Sequence, residues 1–214
     1  MLPALLLHIS LVFPHTTLLS PAARVSAIAE AAAIWSARGV RVDGDEPRAP
    51  TVLTVVATAA SPAPRGVRPP LAAITFAPDG TPASRVVLYL SEIRRLLEGV
   101  RFLGLEESRW PPDLRETIVG RAVGRVLAHE IGHYLLRSRG HTETGLMRSF
   151  QRAEDLVGLP RAPFTPAPID DGVVTVNGET VGESGKREAA RVGAGVRGAT
   201  AGASVRRPRP WTRQ

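Results

Sequence analysis

The segment spanning residues 113–137 contains no proline and repeats apolar residues at helical spacing, and this pattern predicts one long α-helix. One stripe of that helix carries five residues spaced three or four positions apart, namely Ile118, Ala122, Val126, His129 and His133. Two histidines four residues apart project from the same face of a helix, one turn apart. The fold must therefore bury one face of this helix and leave room for a pair of imidazoles near its end.

Local signals indicate how this helix starts, stops and packs. Asp113, with Glu116 three residues later, fits a capping-box-like start, and the helix is expected to stop before Gly140. Gly120 and Gly124 lie inside the helix, where each glycine costs roughly 1 kcal/mol relative to alanine. We therefore expect these two glycines to let the helix approach the sheet closely.

The sequence His129–Glu130–Ile131–Gly132–His133 carries the chemistry of this segment. The histidine spacing lets two imidazole nitrogens reach one metal ion at about 2.0–2.1 Å. Glu130 lies about 100° further round the helix, where its carboxylate can reach a metal-bound water without binding the metal. A Lewis acid that lowers the pKa of water, beside a carboxylate that accepts the proton, is the arrangement that hydrolysis requires.

A third metal ligand must come from beyond the helix, because catalytic zinc usually has three protein ligands and one open position. The chain contains no cysteine, so the ligand must be a histidine or a carboxylate. His141 is the leading candidate, since Gly140 allows a sharp turn just before it and three of the five histidines fall within residues 129–141. Glu154, in a second possible helix, is the alternative ligand.

Residues 129–147 resemble the metzincin clan of zinc peptidases, including its matrixin-like members. The order of strand, helix, strands and active-site helix before them is also similar to the N-terminal subdomain of that clan. The resemblance implies one catalytic Zn²⁺, with a glutamate as general base, a glycine turn before the third histidine, and a methionine packed beneath the metal. Carried over to this sequence, the implied residues are His129, His133 and His141 as ligands, Glu130 as base, and Gly140 and Met147 in support.

The sequence departs from the clan in one spacing. The usual pattern places the turn glycine three residues, and the third histidine six residues, after the second histidine. Here Gly140 and His141 fall seven and eight residues after His133, and Leu136 and Arg139 occupy the usual positions. The helix is therefore expected to run about one turn longer before it ends.

The resemblance also implies that a strand at the edge of the sheet lines the cleft and pairs with an extended peptide. Residues 85–90 are our candidate for that strand, and an ordinary internal strand is the alternative for the same segment. Pairing along an edge reads the peptide backbone rather than its side chains, which suits a peptidase.

The rest of the chain predicts an α+β fold with a twisted mixed sheet and two main helices. Strands are expected at residues 5–13, 40–42, 51–58, 71–76 and 85–90, and helices at 20–39 and 91–98. Residues 1–158 are assigned to the catalytic domain. Residues 159–214 form a tail rich in Pro, Gly, Ala and Arg that we expect to be largely disordered, apart from a brief hairpin around Asn177–Gly178.

The apolar start of the chain has two interpretations. No Lys or Arg precedes Arg24, and His8, Ser10 and Pro14 interrupt the apolar run, so it favours a buried strand and is too short to span a bilayer. We therefore expect the protein to stay in the cytoplasm as translated. The alternative is a signal peptide cleaved near Ala22, which would make the protein secreted.

Charge and composition limit the partners. The net charge is +7, but Lys186 is the single lysine, and the arginines are scattered with few aromatic residues between them. We therefore expect a solvated basic surface, with no nucleic-acid partner and no membrane span. A monomer that acts on a peptide or protein substrate is the expected form.

Zinc-dependent hydrolysis of peptide bonds is the function that these patterns favour. A metal-binding or structural domain without catalysis, or an interaction module that uses the basic tail, is one alternative. A metal hydrolase that acts on a non-peptide amide is another, because the motif specifies the nucleophilic water and not the substrate. The intact Glu130 argues against lost catalysis.

Overall fold

One mixed sheet organises the part of the chain that the structure describes. The structure is a computed structural model and covers residues 7–14, 18–44, 46–59, 69–149, 152–166, 174–176 and 179–181. The five strands of the sheet are β1 (His8–Val12), β2 (Arg41–Gly44), β3 (Thr51–Thr58), β4 (Ala72–Phe76) and β5 (Pro82–Tyr89). They lie in the order β2–β1–β3–β5–β4, and every pair is parallel except β4 with β5. The predicted α+β fold with a mixed sheet is confirmed.

Four helices accompany the sheet: α1 (Pro21–Ser36), α2 (Leu90–Leu97), α3 (Pro112–Leu136) and α4 (Ala153–Val157). α1 and α3 pack against each other and against the sheet. Short hairpins are formed by β6 (Arg101–Phe102) with β7 (Leu105–Glu106) and by β8 (Val174–Val176) with β9 (Glu179–Val181). Among the described residues, no helix combines the length and apolar character that crossing a bilayer requires.

Alternation along the strands directs apolar side chains into one core. Ile9 and Leu11 on β1, and Leu53 and Val55 on β3, are each 0% exposed, as a period of two on a half-buried strand predicts. α1 begins where the sequence predicts, because the Ser20 hydroxyl oxygen accepts a hydrogen bond from the amide of the third helical residue at 3.1 Å. These elements match the predicted strands and helix closely.

The start of α3 differs from the prediction. The helix begins at Pro112, and no side chain caps it. A proline in the first helical turn lacks an N–H, so one of the amides that a cap would satisfy is missing. The Glu116 carboxylate accepts a hydrogen bond from the Ser20 hydroxyl instead, which ties α3 to the start of α1. The predicted capping box is therefore wrong.

Gly120 and Gly124 of α3 face α1 and not the sheet. A Cβ added at Gly124 would lie 2.5 Å from the Ala27 carbonyl oxygen, and one at Gly120 would lie 2.6 Å from the Ala23 carbonyl oxygen. Contacts this short leave no space for a methyl group, so the glycines bring the backbones of the two helices together. The prediction that these glycines allow a close approach is confirmed, but the partner is α1 and not the predicted sheet.

The packed chain continues past Gly158, where the sequence predicts the catalytic domain to end. Phe164 is buried, and the Arg161 guanidinium contacts the Glu30 carboxylate at 2.8 Å. The Thr165 carbonyl accepts a hydrogen bond from the Leu146 amide at 3.0 Å. Residues 159–166 therefore belong with the core. The hairpin predicted near residue 177 is confirmed by β8 and β9, and the remainder of the predicted tail lies outside the described residues.

Candidate metal centre

Three histidines converge at the C-terminal end of α3. His129 and His133 lie one turn apart on the helix, and His141 follows in the loop after it. One ring nitrogen from each histidine can be chosen so that all three lie within 4.8 Å of one another. The imidazole centroids are 4.6 Å apart for the helical pair, and 5.3 Å and 4.9 Å from His141 to His129 and His133. The three side chains are therefore close enough to bind one metal ion.

The turn that brings His141 back lies earlier than predicted. Arg137 ends α3 in the left-handed conformation, with φ +47°. The Ser138 amide then bonds to the His133 carbonyl at 3.3 Å, which closes the helix end. Gly140 does not have a positive φ, so the left-handed residue between the helix and His141 is Arg137 and not the predicted Gly140.

Backbone carbonyls fix the orientation of both helical histidines. The Nδ1 atom of His129 lies 2.8 Å from the Leu146 carbonyl oxygen, and that of His133 lies 2.7 Å from the Ser138 carbonyl oxygen. A carbonyl oxygen can only accept, so each Nδ1 carries the hydrogen and donates it. Each neutral ring is left with a lone pair on Nε2, the atom that binds a metal in such arrangements.

The two Nε2 atoms of His129 and His133 face each other at 3.0 Å. Removal from water lowers the pKa of His129 to about 4, and it also lowers the pKa of His133 and of His141. Two neutral rings therefore present lone pairs to each other, which is repulsive unless a cation joins them. Two nitrogens about 2.0–2.1 Å from a tetrahedral ion are about 3.3 Å apart, close to the observed separation. Three nitrogen donors without sulfur fit Zn²⁺ or a similar divalent ion.

Glu130 lies beside the histidines without joining their cluster. The side chain is buried, and burial raises the pKa of Glu130 to about 7. The Ile74 amide donates a hydrogen bond to the carboxylate, which acts in the opposite direction and favours the charged form. The base predicted from the sequence is therefore unligated, held by strand β4, and close to its midpoint of titration at neutral pH.

Met147 packs against α3 near the histidines. It is buried, and its sulfur lies 2.3 Å from where a Cβ at Gly132, the residue before His133, would fall. Its predicted role beneath a metal stays a prediction. The Met147 carbonyl accepts a hydrogen bond from the Thr142 amide at 2.9 Å, which closes a loop that contains Gly145 at φ +74°. Glycine at 132 is required because any side chain there would displace the methionine.

Several contacts of the site involve the backbone, and the sequence analysis missed them. The Leu146 carbonyl and the Ser138 carbonyl orient the histidines, and the Ile74 amide holds Glu130. Trp35 adds a further link, because its indole N–H donates to the Ala128 carbonyl at 3.0 Å, one residue before His129. A backbone group can be supplied by any residue type, so no residue pattern marks these positions in advance.

A cavity of about 670 Å³ opens between the histidines and strand β4. Its lining residues come from three parts of the chain: 69–76, four positions on α3 (Val126, His129, Glu130 and His133), and the loop residues Arg139, His141, Arg148 and Ser149. β4 is the edge strand beside the cavity, whereas β5 lies between β3 and β4. The prediction that residues 85–90 form the edge is therefore wrong. β4 returns antiparallel beside β5 and takes the outer place itself.

The structure distinguishes the two candidates for the third ligand. Glu154 is exposed on α4 and is not part of the ligand cluster, whereas His141 is. We expect His141→Ala to weaken metal binding by at least about 100-fold, more than the loss of a supporting hydrogen bond around a ligand would cause. Glu154→Ala is the matched control and should bind metal as the native protein does. Competition against a chromogenic chelator measures both, and loss of metal only in Glu154→Ala would reverse the assignment.

Comparisons with protein-family models, with curated proteins and with solved structures find no match for this chain. The description of the site therefore rests on its own geometry. That geometry combines three converging imidazoles, an unligated buried carboxylate beside them, and a cavity bounded by an edge strand.

Proposed function

We propose that this chain is a zinc-dependent endopeptidase related to the metzincins. His129, His133 and His141 hold the zinc ion, and Glu130 is the general base. The observation that carries the proposal is the placement of two unprotonated Nε2 atoms and an unligated carboxylate at one wall of the same cavity. A site built only to hold a metal does not require a buried carboxylate aimed into it, because burying an acid is costly.

Zinc, when bound, supplies a Lewis acid that polarises the substrate carbonyl and lowers the pKa of water. Glu130 accepts the proton of the attacking water and returns it to the leaving amine. A base is most effective when its pKa lies close to the working pH, and burial brings that of Glu130 to about 7. The hydrogen bond from Ile74 keeps the carboxylate pointed into the cavity during both transfers.

Strand β4 supports the choice of a peptide as substrate. It is an edge strand of the sheet, and its residues line the cavity opposite the histidines. Ile74 lies on this strand, and a hydrogen bond from its backbone favours the charged form of the Glu130 carboxylate on α3. Outward-pointing backbone groups on an edge strand can pair with an extended peptide and hold it across the metal ligands. A small non-peptide amide would not pair with the backbone groups of this edge strand.

Elemental analysis combined with a cleavage assay tests the proposed function. We expect one zinc ion per chain and cleavage of casein or of a peptide library, which a chelator abolishes and added Zn²⁺ restores. Protein that holds zinc but cleaves nothing in these assays would indicate a metal-binding domain without catalysis. Cleavage that persists after the metal has been removed would contradict the assignment of His129, His133 and His141.

A further inference from the structure

We propose that Arg139 selects substrates that carry a carboxylate close to the scissile bond. This inference rests on the proposed function and names the substrate class of the same site. The guanidinium lines the cavity together with the three histidines. It supplies the positive charge that an acidic side chain or a free C-terminus of the substrate would meet.

Strand β4 holds the Arg139 side chain in place. The guanidinium carbon lies 5.1 Å from the centre of the Phe76 ring, and Nη2 donates a long hydrogen bond of 3.4 Å to the Phe76 carbonyl. Phe76 is the last residue of β4, so the charge is fixed at one end of the strand along which a peptide would pair. Stacking on an aromatic ring restricts the planar guanidinium before a ligand arrives, which lowers the entropy lost on binding.

The hydrogen-bonding capacity of Arg139 is largely uncommitted. A guanidinium has five N–H donors, and the bond to the Phe76 carbonyl is its one hydrogen bond to the residues that the structure describes. Within the same residues, Arg139 makes no ion pair with a carboxylate. By contrast, Arg148, which also lines the cavity, pairs with Asp155 at 3.0 Å. Arg139 therefore retains the donors needed to take a carboxylate through two parallel N–H bonds.

The charge of the cavity favours an anionic ligand. Among the described residues that line the cavity, Glu130 is the one acidic residue, and the two arginines are Arg139 and Arg148, of which Arg148 pairs with Asp155. A bound divalent cation would add two further positive charges. The positive charge of the cavity therefore attracts an extended substrate that carries a carboxylate near the scissile bond. The same charge repels a substrate that carries a lysine there.

Two sources can supply the carboxylate, and one set of peptides separates them. The peptides differ at the positions flanking the cut, with Glu, Gln or Lys at each, and every peptide is made with a free and an amidated C-terminus. A preference that persists after amidation identifies a side-chain carboxylate. A preference that disappears after amidation identifies the C-terminal carboxylate. Either result supports the role of Arg139.

The native protein is expected to cleave the favoured carboxylate peptide with a kcat/KM about 10-fold above that of the neutral peptide. This ratio is at the lower end of what a charge-assisted hydrogen bond contributes, because Arg139 is exposed. Arg139→Gln should bring the two values within about twofold, and Arg139→Glu should shift the preference to the Lys peptide. Arg137→Gln is the matched control, since it removes the same charge two residues away, outside the cavity lining, and should keep the 10-fold ratio. Zinc content and melting temperature verify that each variant is intact.

A native protein that cleaves carboxylate and neutral peptides equally well would overturn this inference and leave the proposed function standing. A ratio that survives Arg139→Gln would also overturn it, because the selectivity would then come from another group. A zinc-loaded protein that cleaves none of the peptides would contradict the proposed function, and the inference with it.

Discussion

Replacing Glu130 with glutamine is expected to leave zinc binding unchanged and to reduce peptide hydrolysis by about 10²–10⁴-fold. Glutamine has nearly the same shape and can still accept the hydrogen bond from Ile74, but it cannot accept a proton from water. The three histidines make no use of the carboxylate, so the metal site should survive. Elemental analysis and kcat/KM on one peptide measure the two effects together.

A matched control is available in the loop that follows the histidines. Glu143 is an exposed carboxylate two residues after His141, and Glu143→Gln makes the same chemical change without touching the cavity. We expect this variant to cleave at the native rate. If Glu130→Gln cleaved peptides as fast as the native protein, the assignment of Glu130 as the general base would be lost.

The same substitution has a second effect, on the stability of the metal-free protein. Burial raises the pKa of Glu130 from an ordinary 4.5 to about 7 in the folded state. The carboxyl group therefore contributes stability that is fully present below pH 4.5 and is lost as the pH rises through about 7. Glutamine stays neutral at every pH. At pH 8 the free energy of unfolding of Glu130→Gln should therefore exceed that of the native protein by on the order of 3 kcal/mol. Urea unfolding with chelator at pH 8 and pH 4 tests this, and the gain should vanish at pH 4.

The second large effect is expected at Arg125, whose substitution by methionine should reduce the free energy of unfolding by about 3–5 kcal/mol. Arg125 is 1% exposed and its Nε lies 2.8 Å from the carboxylate of Glu30, which is itself buried. The guanidinium also stacks 4.7 Å from the centre of the Phe164 ring and donates to the Asp155 carbonyl. Methionine fills part of the volume but leaves the Glu30 charge with Arg161 as its one remaining cation.

Urea unfolding of Arg125→Met measures the loss, and Arg152→Met is its control. Arg152 pairs with Asp155 at 3.2 Å on the surface, where an ion pair contributes about 0–1 kcal/mol. Arg125→Met should also weaken zinc binding. Arg125 donates to the carbonyls of Asp155 and Pro160. Thr165 in the same segment anchors Leu146, which orients His129. Equal stability of the two variants would show that the buried pair contributes little.

Most of the secondary structure could be predicted because turns and helix ends are marked by particular residues. β3 has the predicted bounds, Thr51–Thr58, since Pro50 precedes it and the sequence Ser61–Pro62 follows. α1 starts at the Ser20 cap, as predicted, but it ends at Ser36 with Ala37 as its C-cap, so the predicted end at Gly39 lies too late. Signals of this kind are local, so one sequence is enough to read them.

Contacts between distant segments could not be predicted in this way. Residues 85–90 and 71–76 are both apolar and β-branched, and nothing in either segment says which takes the edge of the sheet. The same holds for Gly124, whose short contact with Ala27 depends on how α1 crosses α3. Pairing order and helix crossing are settled by the whole fold, which explains why these two predictions were wrong.

The same distinction between local signals and distant contacts applies to the candidate site. The spacing of His129 and His133 fixes their shared face, and His141 joins them although the turn lies at Arg137 and not at Gly140. His141 thus lies beside the helical pair, as the sequence predicts, while the left-handed residue of the turn is Arg137. Metal binding by His141 stays a prediction. The pKa of Glu130 follows from burial among distant elements, which a motif five residues long does not encode.

Strand β4 contributes to two parts of the candidate site. Its Ile74 amide steadies the base, while its neighbours bound the groove that a peptide would enter. A ligand that displaces β4 would therefore also displace Glu130, the proposed proton acceptor. Substrate affinity and turnover would then depend on the same strand. Changes in substrate recognition made through β4 are therefore expected to change the rate as well, and this includes changes at Arg139, which contacts Phe76 at the end of the same strand.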